Sequence, residues 1–388
     1  MLSFSDISNI IGYILFFLLI FLYPRIMLAQ MITKLEESAR KMEGFSAKSR
    51  KMIINKIGDN SIKTEEKIKK FQDFFEIEPS SLDPYGIVKK LDALSRNVES
   101  RFEEFVEEIA SKKSKAEKQM INFALRAAIS VNVIAKLVRH YVEVVKKYKN
   151  LQIALILQMQ LPMIEEIAKS ELRGTEAFVN NYPIGDSIGP LVACAMMKKY
   201  KHLTKDIVYD KKKMFGKEVF ILKALGAEPR LGRIDEALLK LVKRRKIAKV
   251  ITIDAGSKLE GEKTGSISEG IGFAMGGTFE REIVENILLP RKIPLESIII
   301  KMSVEEAIMP MKPEIAKSLS LATQAVENII KRTKEKGAII VIGVGNSCGI
   351  GNTQKDLKEV EKRLKEIERK YYKKVKKKGF LEKLGIKI

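Results

Sequence analysis

The chain has 388 residues, 45% apolar and 31% charged, with a formal net charge of +22. That length and apolar share suffice for two or three packed domains and exclude wholesale disorder. Two cysteines, Cys194 and Cys348, stand far apart in no CxxC pair; this excludes a disulfide scaffold and a thiolate zinc site, and fits a reducing cytoplasm.

Residues Ile7 to Tyr23 (ISNIIGYILFFLLIFLY) carry no charge. With Pro24 and Ile26 to Ala29 the run reaches the ~20 residues a bilayer needs, and Arg25 can snorkel to the interface. A cleaved signal peptide would want a basic leading flank, and this flank offers only Asp6. No Lys or Arg precedes the run, whereas Arg25, Lys34, Arg40, Lys41, Lys48, Arg50 and Lys51 follow it. The positive-inside rule therefore predicts an uncleaved single-pass anchor over residues 1–30, N-terminus outside and body cytoplasmic. No other stretch reads as long and uncharged enough to span. The 14 residues Leu151 to Ile164 hold three Gln and one Pro, and read as a buried helix.

From 31 to 171 the pattern is helical, with apolar residues at three and four spacings such as Phe102, Phe105, Val106 and Ile109. EIEPSSLDP at Glu76 to Pro84 marks a loop. Ile121 to Tyr148 reads as one long amphipathic helix, part of a bundle or stalk, or of a partner-binding coil. A net charge this high draws a chain to anionic lipid or nucleic acid. No zinc-finger or aromatic RNA-binding signature supports nucleic acid, so an anionic membrane surface is the favoured partner, beside a protein substrate or partner.

Around residue 172 glycines become frequent and short apolar runs alternate with helices. Strands are predicted at Glu218–Ala224, Lys249–Asp254, Ser297–Lys301 and Ala338–Val344. Helices are predicted at Pro190–Tyr200, Asp235–Arg245, Glu280–Leu289 and Glu314–Glu335. This alternation predicts a three-layer α/β domain over 172–353 with a largely parallel sheet, whose ligands belong at the carboxyl ends of strands. Residues 354–388 read as a basic helix with a seam at Leu357, Val360, Leu364 and Ile367, followed by KKVKKK at 373–378.

Three segments carry candidate chemistry. NNYPIGDSIGP at 180–190 places Asp186 in a glycine-flanked turn, with Gly185 and Gly189 about it; an N-cap is the plainer role. ITIDAGSKLEGEKTG at 251–265 ends a strand on Asp254, with Glu260, Glu262, Thr264 and Gly265 behind it. IIVIGVGNSCGIGNT at 339–353 is a strand, a glycine-asparagine loop and a helix start. Its Gly343, Gly345, Asn346, Ser347 and Gly349 suit an anion cradle, although no Walker lysine follows.

Asp186 in the GD-x-x-GP turn, Asp254 in I-D-A and the Thr264-Gly265 pair resemble the fold shared by hydrogenase-maturation endopeptidases and the spore germination protease, over about residues 176–280. The late glycine loop departs from that pattern. The resemblance implies a peptidase-like hydrolase with Asp186 and Asp254 as paired carboxylates. In the maturation enzymes the acids bind metal with a histidine, but His140 and His202 match no such position. A hard oxygen site of Asp186, Asp254 and Glu260 or Glu262 would suit Mg²⁺ or Ca²⁺; nickel and zinc are disfavoured. On its anchor, KLEGEKTG and IGVGNS, the whole chain is similar to an uncharacterised archaeal membrane-anchored family, a domain of unknown function; that likeness implies no activity. A non-catalytic nucleotide- or anion-binding module and a membrane-associated scaffold are the alternatives to a hydrolase.

Overall fold

The computed structural model describes residues 4–74, 87–271 and 287–373. The predicted loop at 76–84, most of the predicted helix at 280–289, and the lysine run beyond 373 lie outside them.

Helix α1 (Phe4–Ile57) is continuous for 54 residues, about 80 Å at the α-helical rise. Its first part is apolar on all sides, and its described side chains up to Ile26 stay exposed. From Leu28 onward the pattern becomes one-sided, and Leu28, Met31, Leu35, Ala39 and Met42 are buried. The change near residue 30 is thus one of side-chain chemistry, with no break in the helix; Pro24 is accommodated within it. Helices α2 (Ile62–Phe71) and α3 (Ile87–Ile109) follow. Phe71 stacks on Phe105 of α3 at 3.8 Å between ring centroids.

Helix α4 (Lys115–Tyr148) starts where its sequence says it must. Ser114 Oγ accepts from the Glu117 amide at 3.2 Å, and the Glu117 carboxylate accepts from the Ser114 amide at 3.1 Å. It ends on Lys149 in the left-handed region, and Asn150 at once caps α5 (Leu151–Asn180). The two helices form a tight hairpin against α1. Two expectations need correction here. Helix α4 is also long and apolar enough to cross a membrane, but half of that window is buried, because its Val and Ala positions pack on α1 and α5. The 151–164 segment is buried on one side only: Ala154, Leu157 and Leu161 are inside, while Ile156 and Met159 are 62% and 78% exposed.

Among the described residues the C-terminal half holds seven strands: β1 (Lys201–His202), β2 (Ile207–Met214), β3 (Lys217–Ala224), β4 (Ile247–Ser257), β5 (Ile267–Ile271), β6 (Leu295–Met302) and β7 (Ala338–Gly343). Their order is β1-β2-β3-β7-β4-β6-β5. The four predicted strands are the parallel centre, β3-β7-β4-β6. The sheet as a whole is mixed, since β1, β2 and β5 run antiparallel at its edges. The lysine-rich β2 (IVYDKKKM) lacks the continuous apolar run of a central strand, as an edge hairpin permits. Its turn residues Phe215 and Gly216 both have positive φ.

One sheet face packs on α6 (Ile188–Met196), α9 (Pro313–Lys317) and α10 (Leu319–Arg332), and the other on α7 (Ile234–Val242). A short α8 (Val304–Ile308) follows β6. The tail helix α11 (Leu357–Ile367) docks its seam on its own chain: Val360 and Ile367 are buried, and Leu357 and Leu364 half-buried.

Candidate functional site

Helix α6 meets the sheet at the carboxyl end of β7 and beside Ile253 of β4, so closely that only glycine fits. A Cβ on Gly189 would lie 2.0 Å from the Val344 carbonyl oxygen and 2.5 Å from that of Ile253, and one on Gly343 would lie 2.4 Å from the Gly189 carbonyl oxygen. The Val344 amide donates to the Ile253 carbonyl at 2.9 Å. Asp186 lies one turn before Gly189, and Asp254 follows Ile253. Both predicted acids therefore flank one junction.

Asp186 retains a little accessible surface, and its Oδ2 accepts from the Asn346 amide at 2.7 Å. Burial pushes its carboxyl up to about 6, against the downward pull of that amide. Its turn is pinned from a second side, with the Gly185 amide donating to the Met309 carbonyl at 3.1 Å and the Met311 amide to the Pro183 carbonyl at 2.8 Å. Asp254 is fully buried, and its strand runs on to Ser257 rather than ending at the acid. Side chains alternate along a strand. Ile251, Ile253 and Ala255 belong to the core face under α6, so Asp254 shares the other face with Thr252, whose hydroxyl bonds to that of Ser297 at 2.5 Å.

The acids behind Asp254 do not join it. Glu260 is exposed, and Glu262 caps the Leu259 amide at 2.8 Å and pairs with Lys301. Among the described residues no group of three or more His, Cys, Asp or Glu is placed to hold a metal ion, so the expected set of Asp186, Asp254 and Glu260 is not formed. Thr264 donates instead to Glu306 at 2.9 Å. Glu306 is buried, and burial raises its pKa, but Lys312, the Ser303 amide and Thr264 together hold it below the ordinary range. Gly265 (φ +82°) lies against the Glu314 carbonyl, where a Cβ would come within 2.3 Å. Sequence reasoning missed Glu306. Its signal was the S-V-E-E capping box opening α8, which marks a helix start without marking a buried acid.

The glycine-asparagine loop is wholly buried, and most of its amides are taken. Those of Asn346, Ser347, Cys348 and Gly349 donate to Asp186, the Arg230 carbonyl, Asn346 Oδ1 and the Ala227 carbonyl. The expected anion cradle is therefore absent, because these donors are spent within the protein. Gly345 and Gly349 serve close approach: a Cβ on Gly345 would sit 2.1 Å from the Asp186 carbonyl oxygen. The loop instead fixes the 225–233 segment that follows β3. Ser347 Oγ lies 2.9 Å from the Leu225 and Glu228 carbonyls, Asn346 Oδ1 accepts from the Arg230 amide at 3.2 Å, and Asn352 bonds Gly226 through both its amide and carbonyl. Lys223 is fully buried here, donating to the Ala224 carbonyl at 2.6 Å and to Asn352 at 3.2 Å; burial pushes it down to about 8. Cys194 and Cys348 are both buried, with burial pushing the Cys194 thiol up to about 12. They are packing residues with no thiolate character.

What the pinned segment borders is a cleft of about 370 Å³, between α3 and α4 on one side and the 203–206 and 230–233 loops on the other. Six basic and four acidic side chains line it. Arg126 lies 4.5 Å over the Phe102 ring, and its Nε donates to Asn122 at 3.0 Å. Arg230 pairs with Asp206, and Lys118 with Glu107 at 2.8 Å. Burial raises the Glu99 carboxyl, with Arg126 and Arg233 opposing. Lys115 and Lys205 form no ion pair among the described residues.

Comparison with family models divides the chain where the helical half meets the α/β half. A model described as the N-terminal domain of the protein of unknown function DUF1512 matches residues 9–181, and one described as the DUF1512 C-terminal domain of unknown function matches residues 184–351. The chain belongs to the DUF1512 family. Comparisons with curated proteins and with solved structures each return no match. In this DUF1512 chain the two matched regions meet at Tyr182 and Pro183, beside the pinned Asp186 turn, and the cleft draws residues from both.

Proposed function

We propose that this DUF1512 protein is a membrane-tethered binding protein for a small, multiply charged anion, held in the cleft between its two halves. The observation that carries the reading is the six-to-four excess of basic over acidic side chains around a ligand-sized cavity at the carboxyl-end crest of the sheet. The apolar first part of α1 supplies the tether, with the body on the cytoplasmic side by the charge asymmetry. Helix α4 runs from the cleft at Lys115 to Tyr148 beside the tether, about 50 Å along its axis. At that height the cleft meets soluble anions rather than lipid headgroups. Phosphate esters and polycarboxylates are the fitting classes, since guanidinium groups bind both in bidentate fashion.

The test is a thermal-shift panel of pyrophosphate, ATP and citrate on the full-length protein in detergent. A concentration-dependent rise in Tm that Arg126→Gln and Arg230→Gln abolish supports the reading. No shift with any member overturns it. A protease-accessible C-terminal tag on intact cells would overturn the orientation.

A second reading is the peptidase-like hydrolase using Asp186 and Asp254. Its support is Asp186, which protonates near pH 6, where a general acid works. Against it stands the alternation of β4, which aims Asp254 at the layer opposite α6. Turnover of a fluorogenic peptide library that is lost in both Asp186→Asn and Asp254→Asn would favour it; no turnover by the wild type would end it.

A further inference from the structure

We infer that the α4–α5 hairpin tip is a second membrane contact, seated on an anionic phospholipid surface beside the tether. This rests on the reading that α1 crosses the bilayer. The register of α1 against the hairpin fixes the height of the tip. The Ser46 hydroxyl of α1 donates to Asn132 Oδ1 of α4, Glu43 and Glu36 pair with Arg139, and Glu36 also pairs with Lys146. Partner numbers thus rise along α4 as they fall along α1. Helix α5 runs the other way, with Lys41 paired to Glu165. Followed to its end, this register brings Lys149 and Leu151 against Pro24, Arg25 and Leu28, around one shared cleft. The tip is therefore level with the point where the all-round apolar part of α1 gives way to its one-sided part.

The side chains at that height suit a lipid–water interface. Tyr148 is 66% exposed with the Lys147 ammonium 5.2 Å from its ring centroid, Lys149 next to it in the chain is exposed, and Arg25 is exposed on the cleft that it shares with Lys149. An aromatic ring between cations is the composition of interfacial belts. Ile156 is exposed about 8 Å further along α5, within reach of the headgroup layer. Charge selects lipid as the occupant over a second copy of the chain, because a copy would bring the same cations face to face. Two contacts, tether and tip, then fix the tilt of the bundle and hold the cleft at a set height.

The chain has no tryptophan, so each substitution installs a lone reporter. Phe17→Trp, Tyr148→Trp and Tyr200→Trp in the full-length protein, reconstituted in phosphatidylcholine/phosphatidylglycerol vesicles with brominated acyl chains, report the tether, the tip and the distant α/β half. The expected result is strong quenching at 17, quenching at 148 chiefly by bromine near the headgroups, and none at 200. Adding Lys147→Glu and Lys149→Glu should cut the quenching at 148 at least two-fold. Quenching at 17 with residue 148 as silent as residue 200 overturns the tip contact and leaves the tether standing. Silence at 17 overturns both. A residue 148 shielded from lipid and cross-linked to a second copy overturns the lipid assignment.

Discussion

Replacing Asp186 with Asn measures what its burial costs. The native carboxyl titrates near 6, about two units above an unfolded aspartate. At 1.36 kcal/mol per unit, the ionised form carries a penalty of roughly 3 kcal/mol at neutral pH, an upper figure for a group that keeps some contact with solvent. Between about pH 4 and 6 the native state binds more protons than the unfolded chain, so this group's contribution is fully present below pH 4 and is lost as pH rises through 6. Asparagine keeps an oxygen to accept from the Asn346 amide but carries no charge. Asp186→Asn should therefore raise stability at pH 7.5 by up to roughly 3 kcal/mol, or about 6–12 °C in the Tm of a unit this size, and flatten the fall between pH 4 and 6. Cys194 and Cys348 are both buried, so a thiol-reactive dye reports unfolding at fixed pH, and far-ultraviolet circular dichroism follows the pH series. A variant that is less stable at pH 7.5, with the acid slope unchanged, would refute the reasoning.

Gly189→Ala puts a methyl against two carbonyl oxygens and should cost about 3 kcal/mol or more, whereas Gly44→Ala, mid-helix with nothing within 4 Å, should gain up to about 1 kcal/mol; the same dye assay compares them. Ser347→Ala removes the hydroxyl shared by the Leu225, Glu228 and Arg230 carbonyls, and should cost about 1–3 kcal/mol and weaken anion binding in the cleft, read by calorimetry with pyrophosphate. Lys223 is held below its ordinary pKa, so the unfolded chain binds more protons between about pH 8 and 10 and stability should rise with pH across that window; Lys223→Met should abolish the rise in a urea-denaturation series.

Local order was legible where neighbours in sequence are also partners in space. The Ser114–Glu117 box starts α4, the apolar runs became β3, β4, β6 and β7, the tail seam docked on its own chain, and the charge step at Arg25 coincides with the change in character of α1. These features are written at spacings of two to four residues, which a helix or strand converts directly into a face. The fate of the glycine loop was not legible. An exposed glycine-asparagine turn offers amides to an anion, and a buried one spends them; its partners Asp186 and Arg230 lie 160 and 117 residues away in the chain. Separation in sequence also hid Glu306, whose capping box gave no sign that Thr264, 42 residues earlier, would meet it beside Lys312. It also hid the bare side of α5, since apolar periodicity tells which residues can be buried and only the packing of α1 and α4 decides which are. The cleft belongs wholly to this second kind. No segment of the sequence carries it, because it exists only where α3 and α4 stand over the loops that the glycine-asparagine knot holds in place.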